Sequence, residues 1–313
     1  MTNVKVKKTA LDRKLDKIRA AEESGKLGTK LTNRTLRKLT SNKLAVIGVV
    51  LFLVICILCF GAPLFTRHDP MMFDLRAKMA APSAQHILGT DQMGRDIWSR
   101  ILYGGRISII VGLGSALGAA LVGVVLGLYV GYKGGLLDNL LIKVSDIFQS
   151  VPQMVLIIII VALVGQSMEN LIVIFILTGW PGMYRMTRSK VLSLKQQEFV
   201  QALRAFGISD VKIAFKHLLP NTLGPVVVNI TLSTAMFILQ EASLSVLGYG
   251  VPMEIATWGN IINVITNGGT IRFDWLQYWW MWLPCAIMLI LFVLSINFIG
   301  DGLRDASDPT QIG

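Results

Sequence analysis

The chain alternates long apolar runs with short polar breaks, and the runs approach or exceed what a bilayer requires, about 20 residues for one helical crossing. Six such runs predict helices: residues 44–65, 107–132, an element starting amphipathically near Leu136 and strongly apolar over 151–164, then 171–184, 224–247 and 282–299. Pro152 predicts a kink or a helix start inside the third element, since proline removes a donor and crowds the preceding turn. Gly179, Pro181 and Gly182 predict a bend in the fourth. The second run carries Gly114, Gly118, Gly123, Gly127 and Gly131, a spacing that lets helices approach closely. Between the last two runs, residues 248–280 hold Trp258, Trp275, Tyr278, Trp279 and Trp280, as at a membrane–water interface. The expected fold class is an all-α integral membrane protein with six transmembrane helices.

One polar segment is too long to be a mere link between spans. Residues 198–221 read EFVQALRAFGISDVKIAFKHLLPN. Phe199, Ala202, Leu203 and Phe206 recur at helical spacing. Gly207 stands where a helix stops, because glycine accepts the left-handed conformation. Ser209 is placed to cap a second helix, with Ile208 and Ile213 as a hydrophobic staple. Lys216 and His217 suit its C-terminal end, with Pro220 after it. The prediction is a helix-turn-helix with Ala202, Ala205 and Gly207 at its bend. Two readings fit: a docking knob for a partner, or a surface hairpin whose alanines favour helix.

Composition agrees with the pattern. Apolar residues make up 53% and charged ones only 16%, against about a quarter charged in soluble domains. The net charge of +11 raises the question of nucleic acid, but 13 of the 30 basic residues precede Leu44 and seven fall between Arg185 and Lys216. The first 43 residues contain no aromatic platform for bases. Placing the N-terminus inside puts 23 basic residues in cytoplasmic segments and seven outside, the bias expected of a membrane protein. The tail face of Leu11, Leu15 and Ile18 suits either an anionic membrane surface or a free solvated helix. The expected organisation is a basic cytoplasmic tail (1–43), a first transmembrane helix (44–65), an extracytoplasmic loop (66–106), a core (107–304) with a cytoplasmic loop at 185–221, and a cytoplasmic tail (305–313).

Candidate chemistry is sparse. Cys56, Cys59 and Cys285 lie in apolar runs and read as small core residues. His68, His86 and His217 are scattered without ligand spacing, so no metal site is expected. No G-x-x-x-x-G-K-[ST] loop is present, so the chain does not bind ATP by that route. Nothing has nucleophile–base spacing, and no catalytic or cofactor-binding residue is expected. Glu241 lies in the fifth apolar run. It fits the translocation path, a pairing across a subunit interface, or a snorkelling position near the membrane edge. Asp91, Arg95, Asp96, Arg100 and Arg106 read as a charged network at the outer edge, or as independent solvated charges.

The 198–221 segment resembles the cytoplasmic coupling loop of bacterial ABC importer permeases, whose pattern is Glu-Ala-Ala, three residues, Gly, nine residues, Ile-x-Leu-Pro. The matching positions are Gln201, Ala202, Leu203, Gly207, His217, Leu219 and Pro220, with Glu198 ahead of them. Gln201, Leu203 and His217 depart from that pattern. LGTDQMGRDIWSRILYGGRISIIVGL (88–113) resembles the opening of the core of peptide-importer permeases. EASLSVLGYGV (241–251) with Trp258-Gly259, GDGLRDASDP (300–309) and TSNKLAVIG (40–48) resemble further family segments. After Pro252 the chain has Met253, Glu254, Ile255 and Ala256 where the family often has prolines.

The chain is thereby similar to the C-type permease of dipeptide, oligopeptide and nickel importers. The resemblance implies a type I importer transmembrane domain in a bacterial cell membrane, multi-pass, with both ends cytoplasmic. Its implied partners are a second permease, two ATPase subunits that hold ATP and Mg, and an extracytoplasmic substrate-binding protein. ATPase coupling then falls to Glu198, Gln201, Ala202, Leu203, Ala205, Gly207, His217, Leu219 and Pro220. The same family also serves nickel chelates and glutathione. Outside it, an ion-coupled secondary transporter would favour inverted repeats and midspan charges, and a membrane scaffold would need no ATPase.

Overall fold

A computed structural model describes residues 40–263, 274 and 276–307. The tail positions Leu11, Leu15 and Ile18, and Trp275, lie outside them. The described residues form helices without strands, apart from one isolated bridge between Thr90 and Asp96.

Asn42 caps α1 (Lys43–Phe60), its side chain accepting from the N–H groups of Leu44 and Ala45. Only 22% of α1 is buried, so the other described helices leave most of this strongly apolar helix uncovered. Its inner face packs on the last helix, α9 (Leu283–Ser307). The first and last of the described helices are tied there, where Asn42 Nδ2 donates to Asp305 at 3.3 Å.

α2 runs from Ile97 to Lys133 over 37 residues, about 55 Å at ~1.5 Å per residue. That exceeds the ~30 Å hydrocarbon core, so α2 projects beyond it. The helix begins well before the expected start at 107. Arg100, Arg106 and the Gly104–Gly105 pair hid its first turns from a hydropathy reading. α3 (Leu136–Ser150) and α4 (Gln153–Val164) form a pair bent by 90°. The break falls at Val151–Pro152, the predicted place.

α5 (Met168–Lys195) passes through Pro181 and continues well past Tyr184, where the fourth run was expected to end. It lies along α2, with Gly118, Gly123, Gly127 and Gly131 of the glycine stripe between them and Gly114 outside the contact. A Cβ on Gly123 would come within 2.6–2.8 Å of the Met183 Cβ, the Tyr184 nitrogen and the Trp180 carbonyl. Two of those are backbone atoms that cannot step aside. Gly123→Ala is expected to lower stability by about 1–3 kcal/mol, read as a lower melting temperature of the purified chain. Unchanged melting would show that the two helices are not held this close.

α6 (Glu198–Ala205) follows, and then Asp210–Val246 form one continuous 37-residue rod. Its main part is α7 (Leu219–Val246), preceded by a π-helical turn over Ile213–Leu218. The second helix of the predicted hairpin therefore does not stop at Pro220. The Leu219 N–H reaches back five residues to the Ala214 carbonyl. Pro220 sits in the first turn of the next segment, where a missing N–H is tolerated. α8 (Trp258–Asn263) is short and buried.

α1, α2, the rod and α9 are each long and apolar enough to cross a membrane, and the bent α3–α4 pair, counted as one element, makes a fifth. α5 is a sixth long helix, apolar only in its first half. Trp258, expected among interfacial aromatics, is fully buried instead. Its Nε1 donates to the Ile101 carbonyl at 3.0 Å, and its ring meets Phe292 edge-on. The stretch before α8, where the family prolines are missing, is pinned by Asn260. Its Nδ2 lies 2.9–3.0 Å from the carbonyls of Val251, Pro252 and Ile255. Cys59 and Cys285 are buried beside Trp258, and all three cysteines are free.

Candidate functional site

The 198–221 loop closes one end of the helix bundle. α6 ends as predicted at Gly207, with φ +73°. The Gly207 and Ile208 N–H groups satisfy the last carbonyls, those of Arg204 and Leu203. Ser209 has the extended backbone of a cap but makes no side-chain cap bond. Val200, Ile213 and Ala214 are fully buried, with Leu203 and Ile208 packed alongside. They join Leu128 and Tyr132 of α2 and Val191 and Leu194 of α5 in one cluster.

The predicted apolar stripe splits. Leu203 turns inward, while Phe199 is 40% and Phe206 84% exposed. Ala202, Ala205 and Gly207 are exposed beside them. Helical period alone could not show that one side of this stripe lacks a cover among the described residues. Glu198, Gln201 and Pro220 are also exposed, and His217 and Leu219 half-buried.

A tyrosine at the end of α2 holds this loop. The Tyr132 hydroxyl accepts from Arg204 Nε at 2.8 Å, and its carbonyl accepts from Lys195 Nζ at 2.7 Å. Both cations lie over its ring, 5.0 and 5.4 Å from the centroid. Cations over an aromatic face add to the hydrogen bonds. Span and loop are thus tied at one residue. The sequence reading missed Tyr132, which is 72 positions from Arg204 and carries no local signal.

Glu241 is fully buried within this chain. It accepts from Ser245 at 3.0 Å and from Ser108 of α2 at 3.2 Å, with Thr257 also in hydrogen-bonding reach. Ser108 in turn accepts from the Trp258 N–H at 3.1 Å. The carboxylate joins α7, α2 and the start of α8. None of its surface is exposed within this chain.

At the other end of α2, three of the five outer charges, Asp91, Arg95 and Arg100, form a buried network, and a fourth, Asp96, is buried beside it with partners of its own. Asp91 accepts from the Met93 and Arg95 N–H groups and from Arg95 Nε at 2.7 Å, with Arg100 Nε 3.6 Å away. Asp96 caps α2 through the Ser99 N–H and hydroxyl, both 2.8 Å away. Arg106 is half-buried and makes no ion pair among the described residues, so it falls outside the network.

Residues 123–312 match the family described as binding-protein-dependent transport system inner membrane component. Residues 30–82 match the N-terminal TM domain of oligopeptide transport permease C. The chain belongs to this permease family. It is 35% identical to the dipeptide transport system permease protein DppC of Bacillus subtilis (strain 168), over 94% of this chain and 90% of that one. It is also 35% identical to the oligopeptide transport system permease protein OppC of the same strain, covering 92% and 93%. A structure of the MetNI methionine ABC transporter shares the fold, with TM-score 0.52 and 22% identity. The likeness covers 66% of this chain and 96% of that one. The resemblance to C-type peptide permeases read from the motifs therefore stands.

The permease also has a cavity of about 420 Å³ between its helices, lined by Gln149, Gln153, Thr178, Asn229, Ser233 and Gln240 together with Leu232, Met236 and Phe237. Gln240 Nε2 donates to Gln153 at 3.2 Å, and the buried Gln240 Oε1 has no partner among the described residues. None of the described residues lining the cavity is charged. Single amides scattered over three helices give no motif, so the sequence reading passed over them.

Proposed function

We propose that this permease forms half of the translocation pathway of an ATP-driven peptide importer, with its 198–220 loop as the transmission contact. The observation that carries the reading is the loop's exposed face of small and aromatic residues, rigidly backed by Tyr132 and the buried cluster. A helix end so fixed can pass a rigid-body push into α2, α5 and α7, with which it packs. The occupant of that face is an ATPase subunit, which binds ATP and Mg, because the chain lacks its own phosphate-binding loop. A second permease completes the pathway, and an extracytoplasmic binding protein delivers the peptide. The uncharged amides around Gln240 suit passing backbone amide groups, which need both donors and acceptors.

The test is to purify the complex from its native membrane and measure ATP hydrolysis with peptide-loaded binding protein. Two ATPase subunits, a second permease and peptide-stimulated hydrolysis are expected. A chain that transports without an ATPase would overturn the reading. In this arrangement both termini are cytoplasmic. A Ser83→Cys variant should then react with an impermeant thiol reagent in intact cells, and Ser209→Cys only after the membrane is opened. Both positions are exposed. Reaction of Ser209→Cys in intact cells would reverse the orientation.

A further inference from the structure

The lobe between α1 and α2 holds a cluster that transport leaves unused. Its histidines are 18 positions apart, and the fold brings their rings to 4.6 Å between centroids. His68 Nε2 lies 2.9 Å from the Gln85 carbonyl. A carbonyl only accepts, so this nitrogen carries the proton and Nδ1 keeps its lone pair. His86 Nδ1 lies 2.9 Å from Asp96 Oδ1. A carboxylate also accepts, so Nδ1 of the metal-free ring carries the proton between them, and an ion placed there would displace that proton and take both atoms as ligands. The His68 ring is oriented by the acceptor behind it, as metal-binding imidazoles usually are.

The two rings and the Asp96 carboxylate offer ligand atoms within 4.8 Å of one another. Around an ion with bonds of ~2.0–2.2 Å, ligand atoms lie about 3–4 Å apart, so a contraction of about 1 Å suffices. The cluster lines a cavity of about 430 Å³ that also exposes Asp69 and Asp74, against a single Arg67. Asp96 is itself held from behind by Ser99, so its position at the helix start is fixed.

We propose that His68, His86 and Asp96 form a binding site for a zinc-like divalent transition ion, which clamps the 66–74 and 83–86 segments onto the start of α2. Imidazole with carboxylate suits zinc and its neighbours, whereas calcium and magnesium want oxygen ligands. The site is at the end of α2 opposite the coupling loop, and its reading is independent of what is transported.

The test uses the full-length permease in phosphatidylcholine nanodiscs, purified through a tag free of histidine. Zinc is titrated against a chromogenic chelator, and melting is followed with and without zinc. One zinc per chain is expected, with a higher melting temperature. His68→Gln, at a half-buried position, should weaken binding at least tenfold and abolish the zinc-dependent rise while melting normally without zinc. His86→Gln should do the same, and a hundredfold excess of magnesium should not displace the zinc. Absence of stoichiometric zinc in the wild type, or unchanged binding in His68→Gln, would overturn the proposal.

Discussion

Glu241→Leu is expected to destabilise the permease before it affects transport. The substitution strips the acceptor from the Ser108 and Ser245 hydroxyls, both buried at 1% exposure or less. A buried polar group left unpaired costs about 1–3 kcal/mol. Ser108 also orients the Trp258 N–H, so the loss extends to the cluster around Trp258 and Phe292. The expected result is a lower yield of monodisperse protein and a clearly lower melting temperature. Glu241→Gln keeps one acceptor oxygen and should lie between the variant and wild type. A Glu241→Leu chain that melts like wild type would remove the carboxylate from the structural core. If that chain also failed in uptake, Glu241 would be a pathway group instead.

The case of Glu241 shows what a sequence can and cannot express. An acid within an apolar run marks a costly group, but its partners Ser108 and Thr257 come from distant segments. Only the tertiary contact decides between pathway, interface and core. Local signals fared better. Gly207 was legible because a left-handed residue at a helix end has a steric signature, and Pro152 because a missing donor breaks a span. The six apolar elements were legible because the bilayer enforces their length.

The misreadings share a cause. α2 begins at Ile97, within a charged stretch whose polar groups are satisfied by tertiary contacts that hydropathy cannot see. Pro220 signals a stop in isolation, yet the π turn ahead of it lets the helix run on into α7. Trp258 has the composition of an interfacial residue and the position of a core residue. Phe199 and Phe206 share a helical stripe with Leu203, but nothing in one chain's periodicity says which side awaits a partner.

That uncovered side leads to the largest expected effect on function. A Cβ on Gly207 would meet nothing within 4 Å among the described residues, and Ala202 is exposed. Both side chains start from open surface. Gly207→Leu carries only the left-handed backbone cost of about 1–2 kcal/mol, and Ala202→Trp carries none of that kind. Both variants should reach the membrane in normal amounts. Against a partner groove fitted to small side chains, the added volume has nowhere to go, and overpacking costs about 1–3 kcal/mol or more. Each 1.4 kcal/mol lost in docking is tenfold in affinity. The expected outcome is at least a tenfold fall in peptide-stimulated ATP hydrolysis or in ATPase retention on purification, with uptake falling in parallel. Ala202→Ser should be nearly silent, because it changes the face by one small atom. Wild-type uptake by both bulky variants at normal expression would mean that this loop does not transmit the stroke.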